Sequence, residues 1–67
     1  MDILYTISAD AIEVGDFILI EGDPIEVKRI EPTEDIDEVV VTGYSHETGD
    51  TETYSLYADD EFGVWGA

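Results

Sequence analysis

His46 is the one histidine in the chain, and beside it stands Ser45, so the first chemistry to weigh is a serine nucleophile activated by a histidine base. That chemistry needs the base within hydrogen-bond reach of the hydroxyl and held there by a third group. Neighbouring residues in a turn send their side chains apart; His46 reads as a solvated turn residue, not as the base for Ser45 or Ser8. A zinc site asks for three or four Cys and His ligands, and the chain has no cysteine at all.

Carboxylates are the abundant functional group. Glu34, Asp35, Asp37 and Glu38 crowd one stretch, and Asp59, Asp60 and Glu61 another. Neither has the Asp-x-Asp-x-Asp-Gly-x₅-Glu order that bends a loop around calcium. The paired acids of a glycosidase need a sugar-sized cleft, which a chain this short rarely supplies. No phosphate-cradling glycine loop or nucleophile elbow is present. The reading is therefore non-enzymatic, with no cofactor and no metal.

What remains is charge. Eighteen acids against two basic residues give a net charge of −16 over 67 residues. Such a field repels nucleic acid and anionic membrane and attracts a basic protein surface. Duplex DNA carries a charge per ~1.7 Å of axis, so sixteen charges match roughly 27 Å of duplex. The acids could thus stand in for a nucleic-acid backbone on a DNA- or RNA-binding protein. The expected contact residues are Glu31, Glu34, Asp35, Asp37 and Glu38 in a long loop, Tyr57 on the outer side of its strand, and Asp59, Asp60 and Glu61 near the end. An inhibitor of this kind would suit the small accessory proteins of phages and viruses, working in the host cytoplasm as a monomer or small homo-oligomer. The alternative is a structural or assembly module, a virion component or complex subunit, that associates through the strands Phe17 to Ile20 or Asp2 to Ser8. Its acidity would then reflect a high-salt source organism.

The elements that must position these groups are strands. Hydrophobic residues make up 43% of the chain, many of them β-branched or aromatic, which argues for a packed core despite the charge. No run approaches the roughly 18 apolar residues of a membrane span, and Asp2 stands where a signal peptide wants a base. A soluble, cytoplasmic protein is the expectation. Residues 1–67 are expected to form one domain, its core built from side chains alone, without disulfides.

Asp2 to Ser8 alternates like a half-buried strand. Ser8 to Ala11 suits one helical turn, inside a loop to Asp16 in which Ile12 and Val14 point inward. Phe17 to Ile20 is apolar throughout, as in a strand covered on both sides or one at the seam of a small barrel. Glu21-Gly22-Asp23-Pro24 encodes a tight reversal, with Gly22 free to take φ > 0. Ile25 and Val27 share a face that Ile30 leaves, and a bulge near Lys28-Arg29 would repair the phase. Glu31 to Glu38 reads as an exposed, mobile connection. Val39 to Tyr44 and Thr51 to Tyr57 should pair across a turn containing Gly49, with Tyr54 and Leu56 inward. A single turn at Ala58 to Glu61 leads to a last strand, Phe62 to Trp65, whose Trp65 belongs with the core. The fold class is all-β, a small SH3-like barrel of five to six short antiparallel strands.

Gly15, Ile18, Gly22, Pro24 and Val27 stand at the spacing Gly-x-x-Ile-x-x-x-Gly-x-Pro-x-x-Val, and Thr48-Gly49 precedes an aromatic strand residue, Tyr54. This pattern resembles the N-terminal, KOW-like barrel of the elongation factor P family and its hypusine-bearing eukaryotic and archaeal relatives. The likeness covers Ile12 to Leu56 and implies an SH3-like barrel. The family's working part is a basic loop tipped by a modified lysine. Here that loop is Glu31 to Glu38, without lysine, and the family's OB-fold domains are missing, which counts against a role in translation.

Overall fold

A computed structural model describes residues 2–66, with side-chain surroundings from Tyr5 to Trp65. Six strands, β1 (Asp2–Ser8), β2 (Phe17–Ile20), β3 (Asp23–Pro32), β4 (Glu38–Ser45), β5 (Thr51–Tyr57) and β6 (Glu61–Gly66), form one antiparallel sheet in the order β1-β6-β2-β3-β4-β5. Laid flat, six strands at about 4.8 Å would separate the outer two by about 24 Å. Instead, the Asp10 N–H, just beyond β1, donates to the Ala58 carbonyl, just beyond β5, at 3.2 Å. The Ala9 N–H reaches the Asp60 carbonyl at 2.8 Å. The sheet is thus rolled, and the turn Ala9–Ala11 closes one end of the roll. The all-β class and the small antiparallel barrel expected from the sequence are what the chain forms.

Tight reversals set the registers. Between β2 and β3 only Glu21 and Gly22 lie outside the ladder, with φ of 53° and 82°. Positive φ at both central residues is the type I′ turn, whose twist matches that of the strands it joins. Gly22 adopts it freely, whereas Glu21 bears the left-handed penalty of a side chain with a Cβ. Glu21→Asn should therefore raise stability by roughly 0.5–1 kcal/mol, because Asn tolerates this region. Urea melts would show a higher midpoint at unchanged slope. Glu21→Gln, which removes the same charge without the turn preference, should shift the midpoint much less. Equal shifts would mean that charge relief, not backbone conformation, is the cause.

Along β3 the ladder to β4 slips between Val27 and Arg29, leaving Lys28 unopposed. This is the bulge that the Val27–Ile30 phase change requires, and it returns Ile30 to the core side, where it packs against the buried cluster. Ala9, Ile12, Ile18, Ile20, Ile25, Val27, Val41, Leu56 and Val64 form the buried cluster, and Ile7 of β1 packs against it half-buried. Four of the residues at the Gly-x-x-Ile spacing have local roles. Gly15 and Gly22 take positive φ, while Ile18 and Val27 are fully buried.

Two expectations are corrected. Val14 points outward, 63% exposed. It occupies the corner of a turn closed by the Asp16 N–H on the Glu13 carbonyl, and only Ile12 of that loop turns in. The connection expected over Glu31 to Glu38 is also shorter than that stretch. Strand β3 runs on through Pro32, opposite Val39, and only residues 33–37 connect the strands. Thr33 organises them: its hydroxyl lies 2.8 Å from the Asp35 carbonyl and accepts from the Asp35 N–H at 3.1 Å. The Asp37 N–H donates to Asp35 Oδ1 at 2.9 Å, an Asx turn that polarity alone does not reveal.

Candidate functional site

The connection Thr33–Asp37 and the turn Ala58–Asp60 meet at one end of the roll. The Ala58 N–H donates to the Asp37 carbonyl at 2.7 Å, and Glu38 pairs with Tyr57 across β4 and β5. The fold thereby brings Glu34, Asp35, Asp37 and Glu38 beside Tyr57, Asp59, Asp60 and Glu61. Tyr57 is 59% exposed on the outer side of its strand, as alternation suggests, and Ile36, at 91%, stands among the loop acids. Glu61 accepts from the Thr6 hydroxyl at 3.0 Å. Asp10, anchored to Ala58 through its backbone and to Ser8 through its carboxylate, adds an acid that its position in the first loop did not point to.

Glu31 is placed apart. It lies on β3 opposite Val40, 3.1 Å from the Arg29 guanidinium. The other basic side chain, Lys28, donates to Glu26 Oε2 at 2.8 Å. Both of the chain's cations are therefore held on β3 by acids of the same strand, and among the described residues no ion pair tempers the loop carboxylates. Their like charges are tolerated because the side chains are exposed to water and salt.

A second cluster lies on the outer face of the sheet. Alternation that sends Ile18 and Val64 into the core sends Phe17 and Trp65 outward, and their rings meet edge to face at 4.9 Å. Phe17 pairs with Glu26 and Glu26 with Tyr44, so one row crosses β2, β3 and β4. The His46 ring stands 4.9 Å from Tyr44 and 5.9 Å from Phe17, with Nε2 2.9 Å from Glu26 Oε1. Hydrogen bonds from Lys28 first and His46 second hold the Glu26 carboxyl below the usual carboxylate range. Trp65 is thus buried, at 9% exposure, but against the outer aromatics and not in the inner core. The sequence signal for this cluster was the all-apolar strand β2 itself, whose Phe17 and Leu19 cover the outer side.

Ser45 and His46 do part company. The Ser45 hydroxyl is buried and donates to Asp23 Oδ1 at 2.9 Å, while the His46 ring turns to Glu26. Ser45 also accepts from the Thr48 N–H at 3.2 Å, so it serves the β4–β5 turn. Tyr54 packs against the core, and partial burial, then the hydrogen bond to Glu52, pushes its hydroxyl above the usual range. Among the described residues no three His, Cys or carboxylate side chains converge as metal ligands.

No protein-family profile matches the chain, and no curated protein is significantly similar to it.

Proposed function

We propose that the chain is a non-enzymatic binding protein whose acidic end docks on a basic surface of a nucleic-acid-binding protein, in place of the nucleic-acid backbone. The observation that carries this reading is the Ala58–Asp37 hydrogen bond. It fastens two acidic segments that are distant in sequence into one surface, while both cations are held elsewhere, on β3. Ile36 and Tyr57, exposed among the acids, supply apolar contact of the kind that anchors an interface.

The test separates position from net charge. Glu34→Lys, Asp37→Lys and Asp59→Lys in one protein should weaken capture of a basic partner at least about 100-fold, with DNA competing for the unmutated protein. Glu21→Lys, Glu47→Lys and Asp50→Lys change the charge equally. They lie on the β2–β3 and β4–β5 turns, which adjoin through the His46 N–H and the Pro24 carbonyl at the opposite end. That second variant should retain binding within a few-fold. Equal loss in both would reduce the effect to net charge, and equal retention would sink the proposal.

A further inference from the structure

Strand β5 forms one lateral edge of the sheet, where among the described residues only β4 pairs with it. An edge strand presents a row of unpaired N–H and C=O groups, and proteins usually blunt such an edge with lysine, proline, a bulge or a covering segment. Along β5 there is no lysine, no proline and no bulge. Its sequence Thr-Glu-Thr-Tyr-Ser-Leu-Tyr contains no proline and no lysine. Its seven pairs with β4, from Tyr57 opposite Glu38 to Thr51 opposite Tyr44, run without a register shift. The turn Ala9–Ala11 hydrogen-bonds to Ala58 and Asp60, beyond the strand's end, and lies close to β5 without pairing with it. The other outer strand differs, because β1 is bulged between Ile3 and Tyr5. The outward side chains Thr51, Thr53, Ser55 and Tyr57 are all exposed, and all suit a neighbouring strand.

We infer that β5 is a strand-addition site for an extended, lysine- or arginine-rich segment of the partner, which pairs with its free edge as a seventh strand. Charge chooses the occupant. Glu38, Asp37 and Asp59 gather at the Tyr57 end of the edge, and Glu52 lies on the strand itself, so a cationic segment gains at both places. A second copy of this chain would bring sixteen more negative charges to the same line. Main-chain hydrogen bonds would supply affinity and the acids direction, which makes the edge the docking rail for the basic surface proposed above. The inference rests on that reading and adds the partner's backbone conformation to it.

The probe is a peptide of about nine residues that alternates lysine with threonine and valine, long enough for a strand of ordinary length. Its twin is N-methylated at every second residue, which keeps the charge and removes the donors along one edge. The expected result is that the unmethylated peptide binds the full chain at least about 10-fold more tightly than its twin. Amide exchange should slow at alternate residues of β5. Equal binding by both peptides, with perturbation confined to residues 33–37 and 58–60, would overturn strand addition and leave the charge-based reading standing. Binding by neither would also overturn it, and the charge-reversal comparison would then judge that reading independently. Slowing of the same amides with rising protein concentration, peptide absent, would show a second copy on the edge and overturn the basic occupant.

Discussion

Ile18→Ala should strip the chain of a large part of its stability. Ile18 is fully buried, and it pairs with Ile25 on β3 and with Val64 on β6. The Ile18–Val64 pair is the ladder contact that joins the β1–β6 pair to the meander of β2 to β5. Removing its side chain opens a cavity where two halves of the sheet meet, and such truncations cost about 2–5 kcal/mol. A 67-residue domain has roughly 3–10 kcal/mol of stability in total. With no cysteine in the chain, no disulfide makes up the difference. Denaturation followed by far-ultraviolet circular dichroism would show the loss, with Val14→Ala, an exposed site, shifting by about 0.5 kcal/mol or less. An Ile18→Ala cost below about 1 kcal/mol would mean that the two halves are held together elsewhere.

Gly43→Ala should also destabilise, by less and for the opposite reason. Gly43 lies in β4 opposite Val27, and a Cβ there would collide with Cγ2 of Ile25 and come within 3.2 Å of the Glu26 carbonyl. Ile25 is β-branched and fully buried, so its γ-methyl has nowhere to rotate. Overpacking of this kind costs about 1–3 kcal/mol. A double-mutant cycle identifies the cause. In an Ile25→Ala background the obstructing methyl is gone, and Gly43→Ala should cost far less than in the parent, a strongly non-additive result. Additive costs would place the penalty in the backbone of β4 instead.

These two residues also mark what a reader of the sequence could and could not know. The strands, the tight reversal before Pro24 and the bulge at Lys28 were legible, because each is a local matter of alternation, turn chemistry and phase. Gly43 was not: in a run of β-branched residues its lack of a side chain has no meaning until Ile25 is laid across it. Val14 failed for a related reason, since an apolar residue at the corner of a turn obeys the turn and not the alternation around it. The acids of the candidate surface were visible one by one. Their assembly depends on a backbone hydrogen bond between Ala58 and Asp37, made by groups that every residue but proline shares and that composition therefore cannot announce.

The outer aromatic row shows the same division. Phe17 to Ile20 announced that two faces needed cover, and Ile18 and Ile20 took the inner one. Which residues would cover the other face was set by register, because Glu26, Tyr44 and Trp65 reach Phe17 only through three separate strand pairings.

The pairing of the first strand with the last has a consequence for how the molecule comes into being. β2 to β5 meet their neighbours in order as the chain grows, but β1 must wait for β6, and so must the outer edge of β2. At roughly 5–20 residues per second, the apolar β1 spends seconds without its partner during synthesis. Long-range closure of this sort also slows folding towards the millisecond-to-second range. Unpaired strands at that stage invite association with other nascent chains. Carboxylates interspersed through the whole length, repelling one another between molecules, guard the unfinished chain before they ever meet a partner.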